Sequence, residues 1–174
     1  LSGVLKTDVA ELAASAETAD VRSAPLFLPY LSGERTPHND VNAKGVFWGL
    51  TGAHTNADLA YSVMEGVAFA MADGYAALQG AGTTLDTASF IGGGSRSRFW
   101  AQLCATATGV AMRRHQGGDV GGALGAARLA RLAVTKESVA QVCTSPATIE
   151  VCAPDAAQRG LIEERLARYR RIYA

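Results

Sequence analysis

The sequence predicts an α/β domain built on a short, mostly parallel sheet flanked by several helices. Three observations carry this expectation. Short apolar runs alternate with longer segments of helical periodicity between residues 88 and 133, and strand–helix–strand–helix order is the mark of a parallel sheet with helical crossovers. A glycine turn, Gly92-Gly93-Gly94-Ser95, stands directly between one such run and the helix that follows it. Hydrophobic residues make up 48% of the 174 and charged residues 18%, enough apolar side chain to fill one core of ordinary domain size.

Residues 7 to 17 read as a short helix, with Thr7 or Asp8 as cap and Val9, Leu12, Ala13 and Ala16 on one face. Residues 18 to 25 are small and polar and end in Pro25, which marks a connection. Leu26-Phe27-Leu28 is an apolar run stopped by Pro29, the segment Ser32 to Asp40 is irregular, and residues 45 to 50 read as a short extended piece. Thr55 then caps a long helix, with Asp58 three residues on where an acid suits the positive end of the dipole. Leu59, Val63, Val67, Ala70, Gly74 and Leu78 trace its expected apolar stripe, and Gly80 and Gly82 end it. Ala88 to Ile91 is a buried-type strand, a helix runs from about Ser97 to Gly109, and residues 110 to 112 form the next strand. A polar, glycine-rich segment, His115 to Gly122, leads into a helix of small residues over 123 to 133. Two more helices are expected, over 136 to 142 and 155 to 172.

Composition excludes several functions. Sixteen basic and sixteen acidic residues give no net charge and no basic stripe, so nucleic acid is not an expected partner. The run from Glu163 to Arg171 reads as a solvated helix face. Cys104, Cys143 and Cys152 form neither a disulfide framework nor a zinc site, and read as reduced, mostly buried thiols. No metal site is expected. No apolar stretch reaches the roughly 18 residues of a membrane helix, and no secretory signal opens the chain, so the expected location is cytoplasmic.

The chemistry concentrates in two places. Glycines 92 to 94 lack a Cβ and let a flat ligand approach the backbone, and the following helix offers free N–H groups and a positive dipole end. Such a turn suits a nucleotide, yet it matches neither the Walker pattern nor the dinucleotide fingerprint, and a plain tight turn explains it as well. The small-residue helix beginning at Gly121-Gly122 suits close approach to a bound ring, but tight packing is the plainer explanation of Gly125 and Ala126. The second place is the loop holding Glu34, Arg35, His38 and Asp40. His38 could act as a base, although no nucleophile pairs with it, and Arg35 could simply pair with Glu34 or Asp40 to fix the loop.

Five blocks, taken together, resemble the FGGY family of carbohydrate kinases in the family's order. They are Leu28-Pro29-Tyr30-Leu31-Ser32-Gly33-Glu34-Arg35-Thr36-Pro37-His38, Gly45 to Thr51, Met64 to Ala68, Ile91 to Ser97, and Gly121 to Ala127. The Ser-Gly-Glu-Arg-Thr-Pro-His segment is similar to the family's xylulose kinase branch and differs from its glycerol kinase branch. The resemblance covers residues 25 to 173 and implies a partial ribonuclease H-like lobe of the actin and Hsp70 type, with residues 1 to 24 a helix and connection ahead of it.

What the resemblance implies is transfer of the γ-phosphoryl of ATP to a ketopentose, D-xylulose, with ATP/ADP and Mg²⁺ as cofactors of the full enzyme. Gly93, Gly94 and Ser97 take the nucleotide-binding positions, supported by Gly92, Ser95 and Gly122, and Glu34, Arg35 and His38 fall on a cleft loop. The family's catalytic aspartate and phosphate turns lie upstream of this segment, so the chain is expected to lack its N-terminal lobe, to be inactive alone and to tend toward a homodimer through uncovered surface. A kinase for another ketose or polyol, or a non-catalytic nucleotide- or partner-binding module, remains an alternative.

Overall fold

A computed structural model describes residues 1–173. α1 (Ser2–Leu5) and α2 (Val9–Ser15) come first, and the Asp8 side chain caps α2 by accepting from the Ala10 and Glu11 N–H groups. β1 (Leu26–Leu28) is buried at all three residues and pairs antiparallel with β2 (Val46–Trp48). α3 (Asn56–Gly80) is the spine of the core. It starts with a capping box in which Thr55 and Asp58 satisfy each other's backbone N–H groups.

β3 (Thr87–Phe90), α4 (Arg98–Thr108) and β4 (Ala111–His115) form the expected parallel unit, with Phe90 beside Arg114 in register. Ser97 caps α4 at its start, and Gly109 closes it in the left-handed conformation (φ 73°). α5 (Gly121–Val134) and α6 (Val139–Val142) follow. β5 (Thr148–Cys152) then joins β4 antiparallel, and α7 (Arg159–Tyr173) closes the described chain. The sheets are short and flanked by helices, as expected.

The mostly parallel character is corrected: among the strands of the described residues, β3–β4 pair parallel while β1–β2 and β4–β5 pair antiparallel. The parallel strand pair is the one whose crossover is α4. β5 was not expected at all, because Glu150 and Cys152 face inward while Ile149 and Val151 stay exposed, which blurs the alternation that announces a strand. The helix expected over 136 to 142 shrinks to its last four residues.

The stripe expected on α3 is one residue out of phase. Its buried face is Ala60, Tyr61, Met64, Glu65, Ala68, Phe69 and Ala72, whereas Leu78 is exposed. Small and polar residues fill the contact because neighbouring backbone comes very close. A Cβ built on Gly66 would lie 2.1 Å from the Phe27 carbonyl oxygen of β1. Ser62 Oγ donates to the Pro25 carbonyl at 2.6 Å, closing the same seam. Residues of α2 and the connection pack into this core through Leu12, Ala16 and Ala24, and the Asp20 N–H donates to Asp58 Oδ1.

The charged run on α7 is not uniformly solvated. Arg165 is buried and forks onto Glu65 of α3, Nε to Oε1 at 2.6 Å and Nη2 to Oε2 at 2.7 Å. Of the thiols, Cys104 and Cys152 are buried and Cys143 is exposed, in keeping with mostly buried thiols. Burial pushes the Cys104 thiol up to about 12, so it stays protonated.

Candidate functional site

β3 and β4 run side by side, so their carboxyl ends deliver two turns to one place. The first, Gly93–Arg96, is a 3₁₀ turn entered through Gly92 at φ 88°, a conformation that only glycine adopts without strain. The second is the 3₁₀ turn Gly118–Val120, entered through Gly117 at φ 65°. The Gly92 N–H donates to the Gly118 carbonyl at 2.8 Å and ties the turns together. Arg96 spans them on the outside, its Nε and Nη2 donating to Asp119 Oδ2 at 2.9 and 2.7 Å. The Arg96 guanidinium holds the Asp119 carboxyl below the usual carboxylate range.

The glycines of the two turns serve different purposes. A Cβ on Gly93 or Gly122 would meet nothing within 4 Å, so the backbone is open to an incoming ring. A Cβ on Gly94 would lie 2.1 Å from Trp100 Cζ3, so Gly94 is a glycine because the indole fills that side. The indole is fixed in turn, its Nε1 donating to the Met64 carbonyl at 3.0 Å. Ser95 is buried, and Ser97 Oγ accepts from the Trp100 N–H at 3.1 Å as the α4 cap. Gly92, Gly93, Gly94 and Ser95 thus lie on the first of two tied turns, Ser97 caps the helix that leaves it, and Gly122 stands in the first turn of α5, just past the second. The two turns follow the carboxyl ends of parallel strands, where open α/β sheets receive ligands.

The loop residues form a separate cluster. The Glu34 and Asp40 backbones exchange N–H to carbonyl hydrogen bonds at 2.8 Å each. Glu34 Oε1 accepts from the Thr36 N–H, and Arg35 bonds to neither carboxylate. His38 Nε2 lies 3.1 Å from the Tyr30 hydroxyl, and its ring stacks on Tyr173 with centroids 3.8 Å apart. Tyr169 donates to Tyr30 at 2.8 Å, and Tyr173 to Asp40 Oδ2 at 3.1 Å. Burial pushes the Tyr30 and Tyr169 hydroxyls up. The loop is therefore pinned to α7 by three tyrosines. Beside it, Thr36 borders an open groove of about 500 Å³, otherwise lined by apolar side chains such as Met71, Leu78, Leu85 and Met112 together with Thr108.

Residues that the sequence did not single out brace the glycine turn. Arg114 on β4 donates to the Ser95 carbonyl, the Arg96 carbonyl and Glu150 of β5, and Glu150 also accepts from Arg98 of α4. The signal for this was β5 itself, which brings Glu150 opposite Arg114. Among the described residues no group of three or more His, Cys, Asp or Glu side chains is placed to hold a metal ion. No helix among them is long and apolar enough to cross a membrane.

Solved structures define the class. The chain superposes with a TM-score of 0.85 on a xylulose kinase from Brucella ovis, 39% identical, covering 99% of this chain and 36% of that one. A ligand-bound xylulose kinase from Lactobacillus acidophilus follows with TM-score 0.77 and 29% identity, covering 97% of this chain and 34% of that one. The fold is accordingly a portion of a sugar kinase of the actin and Hsp70-like ATPase type.

The family model of the FGGY carbohydrate kinases, C-terminal domain, matches residues 3–134, and the chain belongs to that family. It is 43% identical over 169 residues to xylulose kinase of Escherichia coli K12, covering 96% of this chain and 35% of that protein. It is 51% identical over 131 residues to xylulose kinase of Klebsiella pneumoniae, covering 75% of this chain and 27% of that protein. The chain therefore spans about a third of the length of the curated relatives it matches.

Proposed function

We propose that this chain supplies the adenosine side of the cleft in an ATP-dependent kinase that converts D-xylulose to D-xylulose 5-phosphate. The observation that carries the reading is the similarity to proteins named xylulose kinase along 96% of the chain, which sets the two open glycine turns in a kinase fold. Gly93 and Gly122 leave room for the nucleoside, Ser97 holds the start of α4, and Gly92 and Ser95 fix the turn's shape. The N-terminal lobe supplies the rest: a carboxylate that takes the proton of the sugar hydroxyl, the phosphate turns and most sugar contacts. In the transfer, an oxygen–phosphorus bond forms at the sugar as the bond to ADP breaks. Mg²⁺, when bound with the phosphates in the complete enzyme, supplies charge neutralisation. Such an enzyme works in the cytoplasm.

A ketose panel with the full-length polypeptide tests the sugar, and D-xylulose is the substrate expected to give the highest kcat/KM. The 174-residue chain alone is expected to phosphorylate nothing, and turnover by it would overturn the division of labour. For the nucleotide, Gly93→Val is the informative change, since its side chain enters open space and the fold stands. It should raise the KM for ATP in the full-length enzyme, and an unchanged KM would place the nucleotide elsewhere.

A further inference from the structure

The turn that receives the nucleoside in the proposed function has three glycines in a row, and glycine surrenders more conformational freedom on ordering than any other residue. Left alone, such a turn would be ordered only by its ligand, at the expense of affinity. In this structure the turn is held by its tie to Gly118, by the Arg96–Asp119 pair, and by one side chain from outside that reaches two of its carbonyls.

We propose that Arg114 is a positioning residue for the nucleotide turn, held in place by Glu150. Arg114 sits in the middle of a cross-strand row, with Phe90 beside it on β3 and Glu150 on β5. Its guanidinium divides its donors. Nε gives to the Ser95 carbonyl at 2.9 Å, Nη2 to the Arg96 carbonyl at 3.1 Å, and Nη1 to Glu150 Oε2 at 2.7 Å. Because the peptide unit is planar, fixing these two carbonyls fixes the peptide planes leading into Ser97, the α4 cap. The Arg114 side chain is 15% exposed, so these are charge-assisted bonds in a mostly dry setting. Glu150 aims the guanidinium, and the hydrogen bonds from Arg98 and Arg114 keep its carboxyl below the usual range and ionised. Glu150 thereby joins the start of α4, the glycine turn and β5 in one brace. Lysine cannot replace Arg114, since an ammonium lacks the planar fork that reaches two carbonyls and a carboxylate together.

The inference rests on the nucleotide reading of the turn, and the test separates the two. In the full-length kinase carrying this segment, Arg114→Lys keeps the charge beside Glu150 and loses the fork. It should raise the KM for ATP about tenfold, with kcat and the KM for the ketose changing less than about twofold. Glu150→Gln should shift the ATP KM in the same direction and less. Gly93→Val, run alongside, reports on the nucleotide reading itself. If Gly93→Val raises the ATP KM while both brace variants leave it at the wild-type value, the positioning role is overturned and the nucleotide site stands. Should Gly93→Val have no effect either, both fall together. An equal rise in the KM values for ATP and ketose would mark a generally loosened fold and would also overturn the role. If Arg114→Lys does not fold, Glu150→Gln, whose side chain is 29% exposed, decides by the same criteria.

Discussion

Glu65 and Arg165 are 100 positions apart in the chain and meet in the core, with side chains 0% and 3% exposed. Burial pushes the Glu65 carboxyl up, against the pull of the Arg165 fork and of the Tyr61 hydroxyl, which donates to Oε1 at 3.1 Å. Arg165 Nη2 also donates to the Ala24 and Pro25 carbonyls, so α7, α3 and the approach to β1 share one guanidinium. Removing either partner strands a charge in the core, and Arg165→Met should cost about 3–5 kcal/mol in urea unfolding. The double change Glu65→Leu with Arg165→Met should recover much of the loss, because no lone charge is then buried. Asp58 makes a prediction in pH. The Thr55 N–H, together with the Thr55 hydroxyl and the Asp20 N–H, holds its carboxyl below the usual range. A lowered folded-state pKa gives stability that is present above the unfolded value and lost as pH falls through the folded one. Asp58→Asn should lower stability at neutral pH and flatten the acid limb of a denaturation-midpoint-against-pH curve below about pH 4.

Among the elements, α4 and the turn before it act together through Trp100. The indole lies where a Gly94 side chain would be and anchors to the Met64 carbonyl of α3. Gly94→Ala must displace the ring or the turn, and a loss of about 1–3 kcal/mol is expected from such overpacking. Gly93→Ala enters open space and should stay within about 0.5 kcal/mol of wild type, so thermal melts of the two single variants separate packing from openness. Three adjacent glycines look alike in a sequence, and their division of labour depends on an aromatic ring six residues downstream of Gly94. The same holds for the stripe on α3. Counting every third or fourth residue found a helix, but which face is buried was set by the close approach of β1 at Gly66.

At the scale of the molecule, coverage is uneven. α3 is packed by β1, α2, α4 and α7, whereas α5 has no buried residue and leaves Leu129 and Val134 69% and 85% exposed. Hydrogen exchange should show it. Amides of residues 121 to 134 are expected to exchange well before those at the centre of α3, and equal protection would mean that the isolated chain covers α5 in solution.

By itself the sequence determined the family, the α/β rhythm, the Thr55 cap of α3, and the position of the glycine turn, since each rests on motifs local to the chain. Only the tertiary structure decided that β5 exists and runs antiparallel, that Arg165 is a core residue, that Gly94 answers to Trp100, and that Arg114 and Glu150 brace the turn. Those outcomes depend on groups brought together from distant parts of the chain, where a charged residue reads as surface until its partner is in view.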